Sequence, residues 1–342
     1  MSAREMAEAL LAFLGSPARP APVARLLAAL ARPGVLVGLS LDGARRVWTL
    51  GPAPLAAQSF EIASLTKPFT AALLMVLARE GRIHPERPLA GQFAAFRGLP
   101  ARVTPLALAT HTAGLPGHPL RSYLSALTRY YDPYGALTAE QLIRSARRWA
   151  GLTPPGFRYS NLGYGLLGLA LEEASGLDLP AALRHHLTVP LGLQDTSFEL
   201  PSPARLATPH LLGRPVPVTE FGRLGGAGGL FSTAGDLLTW LEAQQRTPGE
   251  LGAALRDTQA ERRRLPPTPF LQGVAAGWLC ARVNGRAWRW HGGTARGTRG
   301  VVAFAPGGRE ALVVLTDSGP AGAAAPPERL LFALLALLSR RR

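Results

Sequence analysis

Strand patterns gather at the two ends of this chain, and that distribution limits its possible folds more than any other feature. Residues 34–50, GVLVGLSLDGARRVWTL, read as two short strands joined at Asp42-Gly43, a hairpin-turn dipeptide. Strands return near the other end, with GWLCARV at 277–283, RAWRW at 286–290, GVVAFAP at 300–306 and EALVVLTDS at 310–318. Asn284-Gly285 and Gly307-Gly308 supply turns between them. From about 82 to 270 the sequence is rich in helix formers, Pro and Gly. This order implies an α/β chain of the α+β kind: one antiparallel sheet flanked by helices and built from both termini, with a helical segment inserted between them. We expect a single unit over 1–342, in which 1–81 and 271–342 form a sheet-and-helix lobe and 82–270 a mostly helical lobe.

Capping chemistry places several helices. Thr138-x-x-Gln141 is a capping box opening a helix that Gly151 would end. NLGYGLLGLALEEAS at 161–175 is a helix stopped by Gly176, and Thr233-x-x-Asp236 opens GDLLTWLEAQQR. ERLLFALLALLSRRR closes the chain as a helix whose arginines suit its C-terminal dipole.

The segment 60–80, FEIASLTKPFTAALLMVLARE, carries the chain's single lysine, Lys67, against 37 lysines and arginines in all. FTAALLMVLA, from Phe69 to Ala78, is apolar all round and reads as a helix buried in the core. Ser64 lies three residues before Lys67, a spacing that puts the amine within reach of the hydroxyl. Arginine stays protonated at any useful pH, whereas desolvation can drive a lysine to the neutral amine, so a lysine can act as a base. At a helix N-terminus, free N–H groups and the dipole favour negative charge developing at Ser64. Taken alone the pair also fits an N-cap serine beside a solvated cation.

Composition excludes more than it assigns. A formal net charge of +15 and a pI near 11.3 invite a nucleic-acid reading, yet the arginines are scattered, with short clusters only at 147–148, 262–264 and 340–342. No RNA-binding aromatic motif, zinc-finger spacing or basic heptad accompanies them, so no nucleic-acid partner is expected. The single Cys280 excludes an internal disulfide and reads as a buried strand residue. His84, His111, His118, His185, His186 and His210 show no metal-ligand spacing, and neither a metal nor another cofactor is expected. GGAGGL at 225–230 lacks G-K-[ST] and reads as a backbone crossing near a groove, and no serine sits in a G-x-S-x-G elbow. Glu5 and Glu8 precede a short apolar patch, which suits an amphipathic helix better than a secretory leader. The apolar run LLFALLALL at 330–338 is too short to span a bilayer. A soluble cytoplasmic protein without a membrane partner is the expectation.

Two further stretches carry chemistry. In PGFRYSNLGYG at 155–165, Pro and Gly force a loop from which Tyr159 and Asn161 can project just before a helix. A phenol beside an ammonium has its phenolate favoured and can exchange protons with a serine, and an Asn offers donor and acceptor to an amide or ester. In WHGGTARGTRG at 290–300, between two expected strands, Gly292 and Gly293 permit close backbone approach to a ligand and a strand edge can offer an oxyanion donor. Singly, these read as a packed aromatic with a helix cap and as a glycine-rich hairpin with a surface histidine.

In this order and spacing, Ser64-x-x-Lys67, Tyr159-Ser160-Asn161 and His291-Gly292-Gly293 together resemble the serine β-lactamase and penicillin-binding protein superfamily, nearest its class C β-lactamase-like esterases and peptidases. HTAGLPG at 111–117, VPLGLQDTSF at 189–198 and GGAGGLFSTAGDLLTW at 225–240 extend the resemblance over roughly 30–340. It implies the β-lactamase-like fold, with the active site in the groove between the lobes. It makes Ser64 the nucleophile that forms an acyl-enzyme, with Lys67 and Tyr159 sharing the proton work and either of them the acylation base. It has Tyr159 activating the deacylating water, Asn161 holding Lys67 or the substrate carbonyl, Gly293 in the third motif, and the Ser64 and Thr294 N–H groups forming the oxyanion hole. His291 stands where β-lactamases and carboxypeptidases of the superfamily usually place a lysine, with Arg296 or Arg299 as other sources of fixed charge. The expectation is therefore a serine hydrolase of small ester or amide substrates. The alternatives are a catalytically inactive binding protein of the same fold and a true β-lactamase or D-alanyl-D-alanine carboxypeptidase. The partner is a small ester, amide or β-lactam, and the sequence does not speak to oligomeric state.

Overall fold

The computed structural model describes all residues except 53, 120, 121, 123–133, 151, 153, 321–325, 341 and 342. The elements that position the groove run α1 (Ala3–Phe13), α2 (Pro20–Leu30), β1 (Val35–Leu41), β2 (Ala44–Leu50), β3 (Phe60–Glu61) and α3 (Thr66–Arg79). Then come α4 (Ala139–Ala150), α5 (Asn161–Ser175), β4 (Phe231–Ser232) and α6 (Ala234–Arg246). The chain returns to the sheet as β5 (Leu279–Val283), β6 (Arg286–Thr294), β7 (Arg299–Phe304) and β8 (Glu310–Thr316), and ends in α7 (Pro327–Leu338).

Among the described residues one antiparallel sheet joins both termini in the order β2-β1-β8-β7-β6-β5, extended by Gly273–Val274 and Arg263–Arg264. The outermost of these short strands lies inside the 82–270 segment. The two ends of the chain meet where β1 pairs β8 from Val35 opposite Thr316 to Leu41 opposite Glu310. Asp42 and Gly43 both adopt positive φ, 53° and 92°, as a tight two-residue hairpin needs.

The inner strands are buried on both faces. Val35, Val37, Val301, Leu312 and Val314 pack against α1, α2 and α7, while Leu36, Val302, Val313 and Leu315 face the core built on α3, α5 and α6. Sheets covered on both sides read as continuous apolar runs rather than alternation, which is why 34–41 and 310–316 stand out in the sequence.

Local chemistry accounts for the helix ends. Thr138 and Gln141 exchange reciprocal bonds of 3.2 Å, while the expected stop at Gly151 falls outside the described residues. α5 ends on Gly176 at φ 68°, the left-handed C-cap that glycine supplies without strain. Thr233 caps Asp236 N–H at 3.2 Å, but the Asp236 carboxylate turns away to Asp195 N–H and Thr196. In one place the sheet differs from the sequence pattern. The strand read at 286–290 continues through His291-Gly292-Gly293-Thr294, because pairing with β7 overrides the weak strand preference of two glycines.

Candidate active site

α3 is fixed from all sides. Its Phe69 ring stacks on Trp240 at 4.1 Å, and nearly every residue of the helix is buried. Just before it, Ala63 takes a positive φ of 45° and a single 3-10 turn, Ala63–Leu65, carries Ser64. Strain of this kind persists only where the surroundings over-determine it, and here the short β3–β4 ladder and the α3 packing do so. The turn places Ser64 at the mouth of the groove with Lys67 beneath it.

Lys67 has no accessible surface. Its Nζ lies 2.8 Å from Ser64 Oγ and donates to Ala227 O at 2.7 Å. The acceptor comes from GGAGGL, which crosses so close over α5 that a Cβ at Gly226 would sit 2.5 Å from Tyr164 O. Thr70 Oγ1 donates to the neighbouring Gly226 O at 2.9 Å, tying the crossing to α3. No carboxylate pairs with Lys67 among the described residues; instead the rings of Tyr159 and Tyr164 lie 4.8 and 5.5 Å from Nζ. Burial without a counter-charge drives the amine well below its usual range and favours the neutral base.

Tyr159 reaches the same point from the loop that precedes α5. It lines the groove with 37% of its surface exposed, and its hydroxyl lies beside Ser64. Burial pushes the phenol pKa above its ordinary value. The phenolate is not favoured here: the neighbouring amine is itself driven neutral, and desolvation keeps the phenol protonated.

The loop that carries Tyr159 is held by a residue that reading the sequence did not single out for this role. His111 donates no charge, since burial holds its pKa well below the usual value. Its Nδ1 accepts Ser160 N–H at 3.0 Å, its carbonyl accepts Arg158 N–H at 2.8 Å, and its ring lies 4.4 Å from that of Tyr159. His111 holds a positive φ of 57° and is buried. The only signal in the sequence was its place in HTAGLPG. Asn161 N–H donates to Gly117 O, and its side-chain amide points to His118 Nε2 at 3.4 Å. The hydrogen bonds of Lys67 go to Ser64 and Ala227, not to Asn161, whose Oδ1 is buried with no hydrogen-bond partner.

The sheet supplies the other wall. β6 pairs β5 only from Arg286 to Trp290, so residues 291–294 pair with β7 alone and leave their second backbone edge towards the groove. Gly293 is required by the protein itself: a Cβ there would lie 2.2 Å from Ile62 O and 3.1 Å from Leu65 N. That contact brings the strand bearing Thr294 against the turn bearing Ser64. His291 is 2% exposed rather than a surface residue. Its Nδ1–H donates to Gly292 O at 2.8 Å, and burial pushes its pKa down to about 3, so it carries no charge for a substrate carboxylate. Of the two arginines considered for that task, Arg296 lines the groove, and Arg299 turns to Glu328 at 3.8 Å.

Together these walls enclose a groove of about 620 Å3 that contains Ser64, Tyr159, Asn161, His291 and Thr294. Beside it, and three residues before Ser64, Glu61 is buried with its Oε1 accepting Thr219 N–H at 3.0 Å; desolvation raises its carboxyl to about 7. Among the described residues no three His, Cys, Asp or Glu gather as metal ligands, and no helix is long and apolar enough to cross a membrane.

An antiparallel sheet flanked by helices, with a serine, a buried lysine and a tyrosine meeting at one groove, defines a protein of the β-lactamase-like fold class. The chain belongs to the Beta-lactamase family, whose model matches residues 22–336. It is 31% identical over 198 residues to the D-alanyl-D-alanine-carboxypeptidase/endopeptidase AmpH of Escherichia coli strain K12, covering 53% of this chain and 47% of that one. It is 30% identical over 239 residues to Esterase EstB of Burkholderia gladioli, covering 58% and 60%. The chain thus spans about half the length of the first of these relatives and somewhat more of the second. A solved class C β-lactamase from Rhodobacter sphaeroides superposes over 97% of this chain and 98% of its own, with a TM-score of 0.77 at 22% identity, which shows the shared fold.

Proposed function

We propose that this protein is a serine hydrolase that cleaves small esters or amides through an acyl-enzyme on Ser64. One observation carries the reading: a fully buried amine with no counter-charge lies 2.8 Å from a serine hydroxyl at the mouth of a groove. With one N–H donated to Ala227 O, the neutral Lys67 keeps its lone pair for the Ser64 proton. Lys67 is thus the acylation base, because the alternative, Tyr159, is held protonated. Ser64 Oγ attacks the substrate carbonyl as its proton passes to Nζ. The carbonyl oxygen becomes an anion, received by the N–H groups of Ser64 and Thr294, each such donor lowering the barrier by about 2.7–4 kcal/mol in related chemistry. The Tyr159 hydroxyl, beside Ser64, gives its proton to the leaving group and takes the one held by Lys67. For deacylation the same pair works in reverse order, taking a proton from water and returning it to Ser64 Oγ. Asn161 lines the groove, where its side-chain amide is placed to meet the carbonyl of a substrate.

An uncharged His291 supports ranking esters and amides ahead of substrates that must present a carboxylate, such as β-lactams and D-alanyl-D-alanine peptides. The test is hydrolysis of a p-nitrophenyl ester together with labelling by a fluorophosphonate. Burst kinetics and a label on Ser64, both lost in Ser64→Ala, are the expected result. An unlabelled serine and no turnover would leave a binding protein of this fold.

A further inference from the structure

The groove contains one carboxylate among its described lining residues, Glu328 on the first turn of α7, and the catalytic steps above do not use it. A Cβ on Gly292 would lie 3.2 Å from Glu328 Oε1, so the carboxylate sits directly against the strand that forms the oxyanion wall. Its other oxygen, Oε2, is buried and accepts no hydrogen bond. The cation paired with it is Arg299, whose NH2 stands 3.8 Å from Oε2, beyond hydrogen-bonding distance. Within that pair the arginine is the covered member, with 9% of its side chain exposed against 27% for the glutamate. A molecule entering the groove therefore meets the carboxylate first. Both groove histidines with resolved shifts, His118 and His291, are pushed towards the neutral form by burial, so neither competes as a cation; Arg296 is the fixed positive charge on the lining.

From this placement we infer that Glu328 is a specificity-determining residue that receives a cationic group, an ammonium, on the ester or amide substrate. The inference rests on the hydrolase reading above and adds the substrate class. The protein's overall charge of +15 opposes such a substrate at long range, but salt screens that field over about 10 Å. Contact with an incompletely neutralised carboxylate then decides the local preference.

The test uses the full chain and two matched ester pairs. One pair is a p-nitrophenyl ester whose acyl chain ends in a trimethylammonium and its tert-butyl carbon isostere. The other is acetylthiocholine and its tert-butyl isostere, which moves the cation to the leaving group. The readout is the ratio of kcat/KM for the cationic member over the neutral one. Glu328→Gln should lower that ratio about tenfold in at least one pair, Glu328→Lys should take it below unity, and Arg299→Gln, which removes the competing cation, should raise it. The Arg299 variant moves the ratio in the opposite direction, so it keeps the proposal open to refutation even if the Glu328 variants fold poorly. Ratios unchanged by every variant in both pairs, or cationic and neutral esters falling together, overturn the inference and leave Glu328 a structural partner of α7. Failure of the wild type to cleave any of the four esters overturns the hydrolase reading itself, a separate outcome.

Discussion

The two walls of the groove are built on different principles. The α3 wall holds Ser64 and Lys67 in a fully packed core, with the amine bonded to Ser64 and Ala227 and no charge to offset its burial. The β6 wall is a strand edge and a loop, with an unpaired backbone edge over residues 291–294 and with Arg296 and, from α7, Glu328 on the groove lining. Burial on the first wall tunes a base; openness on the second leaves room for recognition. A serine hydrolase needs both, since a base is made by excluding water and specificity by contacts that reach the substrate.

This contrast can be broken most severely at the base. Lys67→Arg keeps the charge but removes the capacity to accept a proton, and acylation by a p-nitrophenyl ester should fall by about three orders of magnitude or more, as losses of nucleophile or base do in other serine hydrolases. A residual rate within tenfold of wild type would break the division of roles. Joining the walls differently comes next. Gly293→Ala inserts a methyl 2.2 Å from Ile62 O, so β6 must retreat from the serine turn. We expect kcat to fall at least about tenfold and stability to drop by about 1–3 kcal/mol, the usual cost of forcing atoms into a packed site. Unchanged kinetics would mean that the walls need not touch.

A smaller effect should appear at His111, which supports Tyr159 without reaching the groove chemistry itself. His111→Ala orphans Ser160 N–H and should cost about 1–3 kcal/mol in urea unfolding, with kcat lowered more than KM raised. A pure loss of stability with normal kcat would make His111 a core residue only. The smallest effect is set by pH. Glu61 has its pKa raised by burial to about 7, against 4.5 when unfolded, so its contribution is full below about 4.5 and is lost as pH rises through 7. Glu61→Gln should therefore match wild-type stability at pH 4 and exceed it by about 1–3 kcal/mol at pH 8, measured by denaturation at both values. A gain that does not depend on pH would show that Glu61 is not the titrating group.

What the sequence disclosed followed from the range of each interaction. The Ser64–Lys67 spacing, the Asp42-Gly43 hairpin, the Thr138–Gln141 box and the stop at Gly176 depend on residues within four positions of one another, and all four stand in the structure. The support for Lys67 arrives from Ala227 and Tyr164, and that for Tyr159 from His111, at separations that no local pattern encodes. His291 looked like a surface group on a hairpin because two glycines hid the strand that buries it. Glycine at 293 was legible as a site of close approach, but the partner is the serine turn itself rather than a ligand. Helix α2 begins on Pro20, where the missing N–H costs no intrahelical bond, and its place is fixed by the packing of Val23, Leu27 and Leu30 rather than by a local pattern.

A chain with one lysine permits an unusually direct test of the neutral base. Protein labelled with carbon-13 at the lysine ε position should give a single Lys67 resonance whose shift follows protonation across a pH titration. The account predicts a midpoint well below 10.5, with a rate of Ser64 acylation that rises as the amine deprotonates. A midpoint at or above 10.5, or an acylation rate indifferent to that titration, would contradict it.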